Sequence, residues 1–175
     1  MTTIIAVETA DKITLGWDSR VTAGRQRSTI DASKMFTNGD VTILFSGTVR
    51  DLHILKYANL PTLDTWDVDR WMTNQFTPTI RAVLTGQEAA TLLDGERFMG
   101  NGLLVVVGGR VYEVEHHFGW YRRADGIYTG GSGYQYAIGA LSAGATVRQA
   151  LEVAATHDNS TGDELHVLEI DRQTS

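Results

Sequence analysis

Thr2-Thr3-Ile4-Ile5-Ala6-Val7, directly behind Met1, is the stretch on which the reading of this chain turns. Thr3 to Val7 are β-branched or apolar, the composition of a buried strand. A start methionine followed by a small residue can be removed, which leaves Thr2 first and puts a hydroxyl and a free α-amine on one residue. Such an amine has a pKa of about 7.7–8.0 and is partly unprotonated near neutral pH. A hydroxyl is a poor nucleophile until a base takes its proton, and an N-terminal threonine carries that base on its own backbone. A strand behind it would hold the terminus rigid. Taken alone, a Met-Thr start signals nothing, so the weight falls on the rest of the chain.

Outward from that stretch, Thr3–Val7 and Ile13–Trp17 form two strand-like runs around a polar turn, the pattern of a hairpin. Asp18 and Arg20 stand at the end of the second run, where charge is unusual; an ion pair between them at a sheet edge is the plain alternative to a functional role. Lys34 alone reads as a surface lysine. Asn38-Gly39 signals a type I′ hairpin between Lys34–Thr37 and Val41–Ser46. Gly47 ends that strand, and Thr48 with Asp51 marks a helix start, so Gly47 occupies a strand-to-helix turn where backbone N–H groups can point outward. A second helix is expected from Asp67 to about Leu84, with a kink or interruption at Pro78.

Leu103–Val107 is uninterrupted apolar sequence, read as a strand buried on both faces. His116 and His117 would point to opposite faces of a following strand and are read as a structural or exposed pair rather than metal ligands. Trp120–Arg122 and Ile127–Thr129 suggest a hairpin around Ala124-Asp125-Gly126. Gly130-Gly131-Ser132-Gly133 then leads into a helix, but lacks dinucleotide-binding spacing. Thr146 and Gln149 form a capping-box pattern for the next helix. Asp158 to Gly162 is a polar turn, Glu164–Ile170 the closing strand, and the tail from Asp171 to Ser175 is expected to fray. Strands, two helices, strands, two helices and a strand argue for mostly antiparallel sheets with segregated helices, an α+β four-layer α-β-β-α sandwich spanning 1–175 as one domain.

Composition narrows the function. The 175 residues carry 15 Lys and Arg against 21 Asp and Glu, a formal charge of −6 that argues against a nucleic-acid surface. No cysteine is present, which excludes disulfides and thiolate metal sites. No apolar run reaches bilayer length and no signal-peptide pattern opens the chain, so no membrane partner is expected and the cytoplasm, bacterial or of the host of a phage, is the expected location.

Five stretches in this order and spacing resemble the proteasome β-type subunits and the bacterial HslV peptidase: Thr2-Thr3-Ile4, Gly16-x-Asp18-x-Arg20-x-Thr22-x-Gly24, Ser33-Lys34, Ser46-Gly47-Thr48-x-x-Asp51 and Gly131-Ser132-Gly133. The resemblance runs over nearly the whole chain. It implies an N-terminal-nucleophile (Ntn) hydrolase fold and a threonine endopeptidase whose Thr2 Oγ attacks a peptide carbonyl. Lys34 would place positive charge beside Thr2, Asp18 would neutralise and orient Lys34, and the Gly47 N–H would hold the oxyanion. Ser132 and Asp158 match the hydroxyl and carboxylate near the threonine amine. The backbone around Thr22 and Gly47 would line the substrate, with Thr22, Ala23, Phe45 and Val49 shaping the pocket.

The resemblance also implies homo-oligomeric rings fed with unfolded chains or peptides by an AAA+ ATPase. It calls for no cofactor and leaves open a monovalent or magnesium ion near Asp158 and Thr161. Phe45 departs from the family pattern, in which a small residue is frequent, and the loop before Ser46-Gly47 is slightly shorter than in eukaryotic subunits. No long propeptide precedes Thr2, which favours an HslV-like or stand-alone bacterial or phage-type relative. The alternatives are a silent scaffold subunit of the same fold, or an Ntn amidase acting on a small amide, against which the Thr/Asp/Lys trio argues.

Overall fold

The computed structural model describes residues 2–23, 26–30, 33–87, 91–93, 96–98 and 102–172. In chain order, β1 (Thr3–Glu8) and β2 (Lys12–Asp18) form the leading hairpin, and β3 (Arg20–Ala23) and β4 (Gln26–Thr29) a second, smaller one. Next come β5 (Met35–Asn38), β6 (Val41–Ser46) and α1 (Val49–Lys56), then α2 (Val68–Trp71), a π-helical turn (Met72–Phe76) and α3 (Thr77–Gly86). The chain continues through β7 (Thr91–Leu93), β8 (Glu96–Phe98), β9 (Gly102–Val107), β10 (Arg110–Val114), β11 (Trp120–Tyr121) and β12 (Ile127–Gly131). It closes with α4 (Tyr134–Ser142), α5 (Val147–His157) and β13 (Leu165–Asp171).

Two antiparallel sheets carry the architecture, one in the order β12-β1-β2-β13 and one in the order β11-β10-β9-β6-β5. The period-2 alternation of β1 shows how the layers are made. Ile4 and Ala6 meet Leu15, Trp17, Leu44, Leu104 and Val106 between the sheets. Ile5, one residue out of phase, packs against Ala137, Leu141 and Leu151 of α4 and α5. The apolar run of β9 divides likewise: Leu104 and Val106 face the first sheet, while Leu103, Val105 and Val107 face α1, α2 and α3 beside Trp71, Phe76 and Ile80. Each buried Val, Leu, Ile or Phe side chain among them contributes about 1.5–3 kcal/mol relative to exposure. The result is the expected α-β-β-α sandwich, with three apolar layers between four structural ones.

Local signals explain the element ends. The Thr48 hydroxyl accepts the Asp51 N–H at the start of α1, and Thr146 and Gln149 complete a reciprocal capping box on α5. The interruption tied to Pro78 falls one turn upstream of it. Pro78 offers no N–H, and the helix widens into the π turn over Met72–Phe76, where the Thr77 hydroxyl donates to the Met72 carbonyl.

Four expectations change. The hairpin loop is Gly39-Asp40, not Asn38-Gly39: Asn38 pairs with Val41, and Gly39 alone has positive φ, +60°, which makes a type II′ turn. Asn38 is drawn into the ladder because its Nδ2 donates to the Leu55, Lys56 and Ala58 carbonyls at the end of α1. His116 and His117 lie in a turn beyond β10, their rings stacked 5.3 Å apart. β11 and β12 form no hairpin, since β11 pairs with β10 and β12 with β1, and the chain crosses between sheets at 122–126. Asp171 and Arg172 do not fray: Asp171 pairs with Lys12, and the Arg172 N–H donates to the Asp11 carbonyl. No described helix is long and apolar enough to cross a membrane.

Candidate active site

Thr2 enters β1 at the rim of the layer between the sheets, with 2% of its surface exposed. Its hydroxyl touches two groups delivered by neighbouring elements, donating to Asp18 Oδ1 and accepting from Lys34 Nζ. Asp18 ends β2, the hairpin partner of β1, so the antiparallel register alone carries it to the start of the leading strand. Lys34 comes from just before β5 in the opposite sheet, and its Nζ lies 3.0 Å from Asp18 Oδ1. The surface-lysine reading of Lys34 is overturned, since the residue is 5% exposed. So is the Asp18–Arg20 edge ion pair: the Arg20 side chain turns to Asp163 at 3.0 Å.

Asp18 is fully buried and held by converging donors. Besides Thr2 and Lys34, Oδ1 accepts the Thr3 N–H at 3.0 Å, while Oδ2 accepts the Arg20 and Gly162 N–H groups, each at 3.1 Å. Such a set gives both oxygens of a fully buried carboxylate hydrogen-bond partners, without which its burial would be costly. Lys34 is further fixed by donating to the Arg20 carbonyl. Burial pulls its pKa below the ordinary lysine range, against the opposing pull of Asp18. The ammonium proton is therefore held less firmly than on a surface lysine.

A second cluster approaches from β12 and the loop after α5. Ser132 Oγ donates to Asp158 Oδ2 at 2.6 Å and lies 3.4 Å from the Thr2 carbonyl oxygen. The Thr161 hydroxyl donates to the same Asp158 oxygen at 2.6 Å, and the Ser160 N–H reaches Oδ1 at 3.2 Å. Burial opposes ionisation of Asp158, but the Ser132, Thr161 and Ser160 hydrogen bonds outweigh it and hold its pKa below the usual carboxylate range. Gly131 makes the approach feasible: at φ +86°, a Cβ there would sit 1.9 Å from the Thr2 carbonyl oxygen.

The oxygens around Asp158 and Thr161 are already engaged. Both Asp158 oxygens accept protein donors, and the Arg20 guanidinium takes the Thr161 carbonyl at 2.7 Å and the Asn159 carbonyl at 3.3 Å. A cationic side chain thus lies against the Thr161 and Asn159 carbonyls of this loop.

The structure therefore brings Thr2, Asp18, Lys34, Ser132 and Asp158 together. Gly47 is exposed at the bend between β6 and α1. Thr22 is half-buried in β3, its Oγ1 without a hydrogen-bond partner among the described residues, and Val49 is half-buried at the start of α1. Phe45 is 1% exposed within the core between the second sheet and its helices, beside Leu52 and Phe76, because alternation along β6 turns it away from the layer that holds Leu44. Ala23 ends β3, its side chain outside the described residues; Met1 and Gly24 also lie outside them.

Sequence reasoning missed Thr3, Gly162 and the double use of Arg20. Arg20 had stood out as charge at a strand end, but its backbone contacts leave no trace in residue type. Gly162 was visible only as part of a polar turn. Its φ of +143° and the lack of room for a Cβ, 2.6 Å from the Arg20 guanidinium, explain why glycine stands there.

No family model and no curated protein matches this chain. Solved structures do. Thiobacillus denitrificans BPH superimposes with a TM-score of 0.81 at 19% identity, covering 99% of this chain and 100% of that one. The same protein in complex with epoxomicin gives 0.81 and 19% over 98% and 100%. Eukaryotic HslV from Trypanosoma brucei gives 0.68 at 23% identity over 97% and 99%. The chain therefore has the HslV-like fold over nearly its full length.

Proposed function

We propose that this chain, once Met1 is removed, is an N-terminal threonine endopeptidase. The observation that carries the reading is the buried Thr2–Lys34–Asp18 contact, three side chains from three elements meeting on one hydroxyl. A hydroxyl in contact with a buried ammonium suits nucleophilic attack, because positive charge beside it stabilises the alkoxide as its proton leaves. Thr2 Oγ attacks the scissile carbonyl carbon, and the Thr2 amine takes the hydroxyl proton. The Gly47 N–H donates to the oxyanion, an interaction worth about 2.7–4 kcal/mol in comparable sites. The tetrahedral species collapses to an ester on Thr2 as the amine's proton passes to the leaving nitrogen. Water then attacks the ester, and the amine again takes and returns the proton. Ser132 and Asp158 place the Thr2 backbone and its protons. The reaction needs no cofactor.

The likeness in fold to HslV, and to a protein solved in complex with epoxomicin, supports the same reading. We extend it to an HslV-like ring enclosing the sites, fed with unfolded chains by an AAA+ unfoldase in a bacterial cytoplasm or that of a phage host. β3, with Thr22 and Ala23, would pair with extended substrate, and Val49 would border the pocket. Phe45 would act on that pocket from beneath, through the residues that cover it.

Thr2→Ala tests the reading. It should abolish hydrolysis of fluorogenic peptides while leaving the melting temperature within a few degrees of the parent. Cleavage by Thr2→Ala at the parent's rate would sink the mechanism.

A further inference from the structure

Alternation along β1 sends Thr3 to the face opposite Thr2, and there it meets a second set of polar groups. Thr3 is fully buried, and its hydroxyl lies 2.6 Å from the Thr161 hydroxyl. Thr161 is also fully buried and spends its one hydroxyl proton on Asp158 Oδ2. Thr161 Oγ must therefore accept, and Thr3 Oγ must donate. The chain of bonds has a single direction, Thr3 to Thr161 to Asp158, and Ser132 donates to the same Asp158 oxygen from the other side. There is no slack around it: a Cβ on Gly133 would lie 2.2 Å from Thr3 Oγ and 2.9 Å from Thr161 Oγ.

The same loop also reaches the first cluster, because the residue after Thr161, Gly162, donates its N–H to Asp18 Oδ2. Both carboxylates beside Thr2 are thus held from one loop, and the Thr3 hydroxyl is the point at which β1 grips that loop through a side chain.

We propose that Thr3 is a positioning residue: its hydroxyl, donated to Thr161, locks the 158–162 loop onto the leading strand and so sets Asp158 and Asp18 against Thr2. The proposal rests on the peptidase reading above. Thr3 touches no substrate; it acts through geometry, where small displacements cost large factors in rate. A Val at this position keeps the shape and the N–H to Asp18 but removes the donor, whereas Ser keeps the donor and removes only a methyl group.

The experiment compares steady-state hydrolysis of a fluorogenic peptide by the parent, Thr3→Val and Thr3→Ser, all checked for folding by circular dichroism. Thr3→Val should lose about tenfold in kcat with KM within about twofold, the pattern of a group acting on the chemical step. Thr3→Ser should recover kcat to within about twofold of the parent. Parent-like kcat in Thr3→Val overturns the proposal, and so does equal impairment of the Val and Ser variants, which would make the methyl group the important part. Should Thr3→Val fail to fold, Thr3→Ala removes the same donor with a smaller side chain and is read against Thr3→Ser by the same kcat criterion. A parent that cleaves nothing fells the peptidase reading and this inference with it; a parent that cleaves while Thr3→Val matches it fells this inference alone.

Discussion

The two ends of the leading strand are both anchored by a carboxylate, in opposite ways. At the Glu8 end the carboxylate sits near the surface, its side chain 9% exposed, paired with Arg122 at 3.0 Å and Arg172 at 3.2 Å. Those arginines are 36% and 25% exposed, and the second Glu8 oxygen takes the Val111 N–H at 3.0 Å. That arrangement closes the gap between the sheets and ties down Arg172, which also donates to the Gly109 carbonyl. At the Thr2 end the carboxylate and the lysine are 0% and 6% exposed. Desolvating such a pair costs about as much as its attraction returns, so it is poor construction for stability alone. The contrast teaches where stability can be spent on chemistry: one end is a fastening, and the other is the site of the proposed reaction.

Breaking the Thr2 end should therefore cost activity, which breaking the Glu8 end should not. Lys34→Ala is expected to lower kcat/KM for a peptide substrate about a thousandfold or more, since it removes the charge beside the nucleophile. A variant within tenfold of the parent would erase the difference between the two ends. Asp18→Asn comes next. It keeps the shape but leaves the buried ammonium without its countercharge, at about 3 kcal/mol of stability in chemical denaturation and about a hundredfold in activity. Gly131→Ala should cost stability and activity together, about 2–3 kcal/mol, because a Cβ cannot coexist with the Thr2 carbonyl oxygen at that φ. Glu8→Gln marks the opposite pole: about 1–2 kcal/mol lost in denaturation, given the partial exposure of its partners, with kcat/KM unchanged.

The pH dependence sharpens the same contrast. With its pKa held down by burial, Lys34 loses its proton below the ordinary lysine range, so the alkaline limb of kcat/KM should fall earlier than a surface lysine would allow. Between the folded and unfolded pKa values the unfolded chain binds more protons, so this residue's contribution to stability rises with pH across that window. Asp158, with its pKa lowered, contributes stability above the unfolded carboxylate pKa and loses it as pH falls through the folded one. Glu8→Gln should leave the alkaline limb where it is, which a pH series of initial rates would check.

Much of this was legible in residue types. The β-branched and apolar run of β1, the unbroken run of β9 and the caps of α1 and α5 dictated strands and helix starts, and a charged Asp18 ending an apolar strand stood out. Other features were not legible because they are made by tertiary contact. Nothing in the sequence says that Asn38 caps the end of α1, or that Phe45 points into the helix-side core. Nor does residue type reveal that the Arg20 carbonyl, and not only its charge, receives Lys34. The Thr3 hydroxyl was hidden for the same reason: β-branched residues in a strand read as packing until the 158–162 loop is placed beside them.

The most direct test of the central claim is mass spectrometry of the purified chain before and after a peptide epoxyketone, a probe with two adjacent electrophilic carbons for an amine and a hydroxyl on one residue. The account predicts a chain lighter by its start methionine, one probe per chain, and the adduct mapped to Thr2. A chain that keeps Met1 and takes up no probe, or carries it elsewhere, would contradict it.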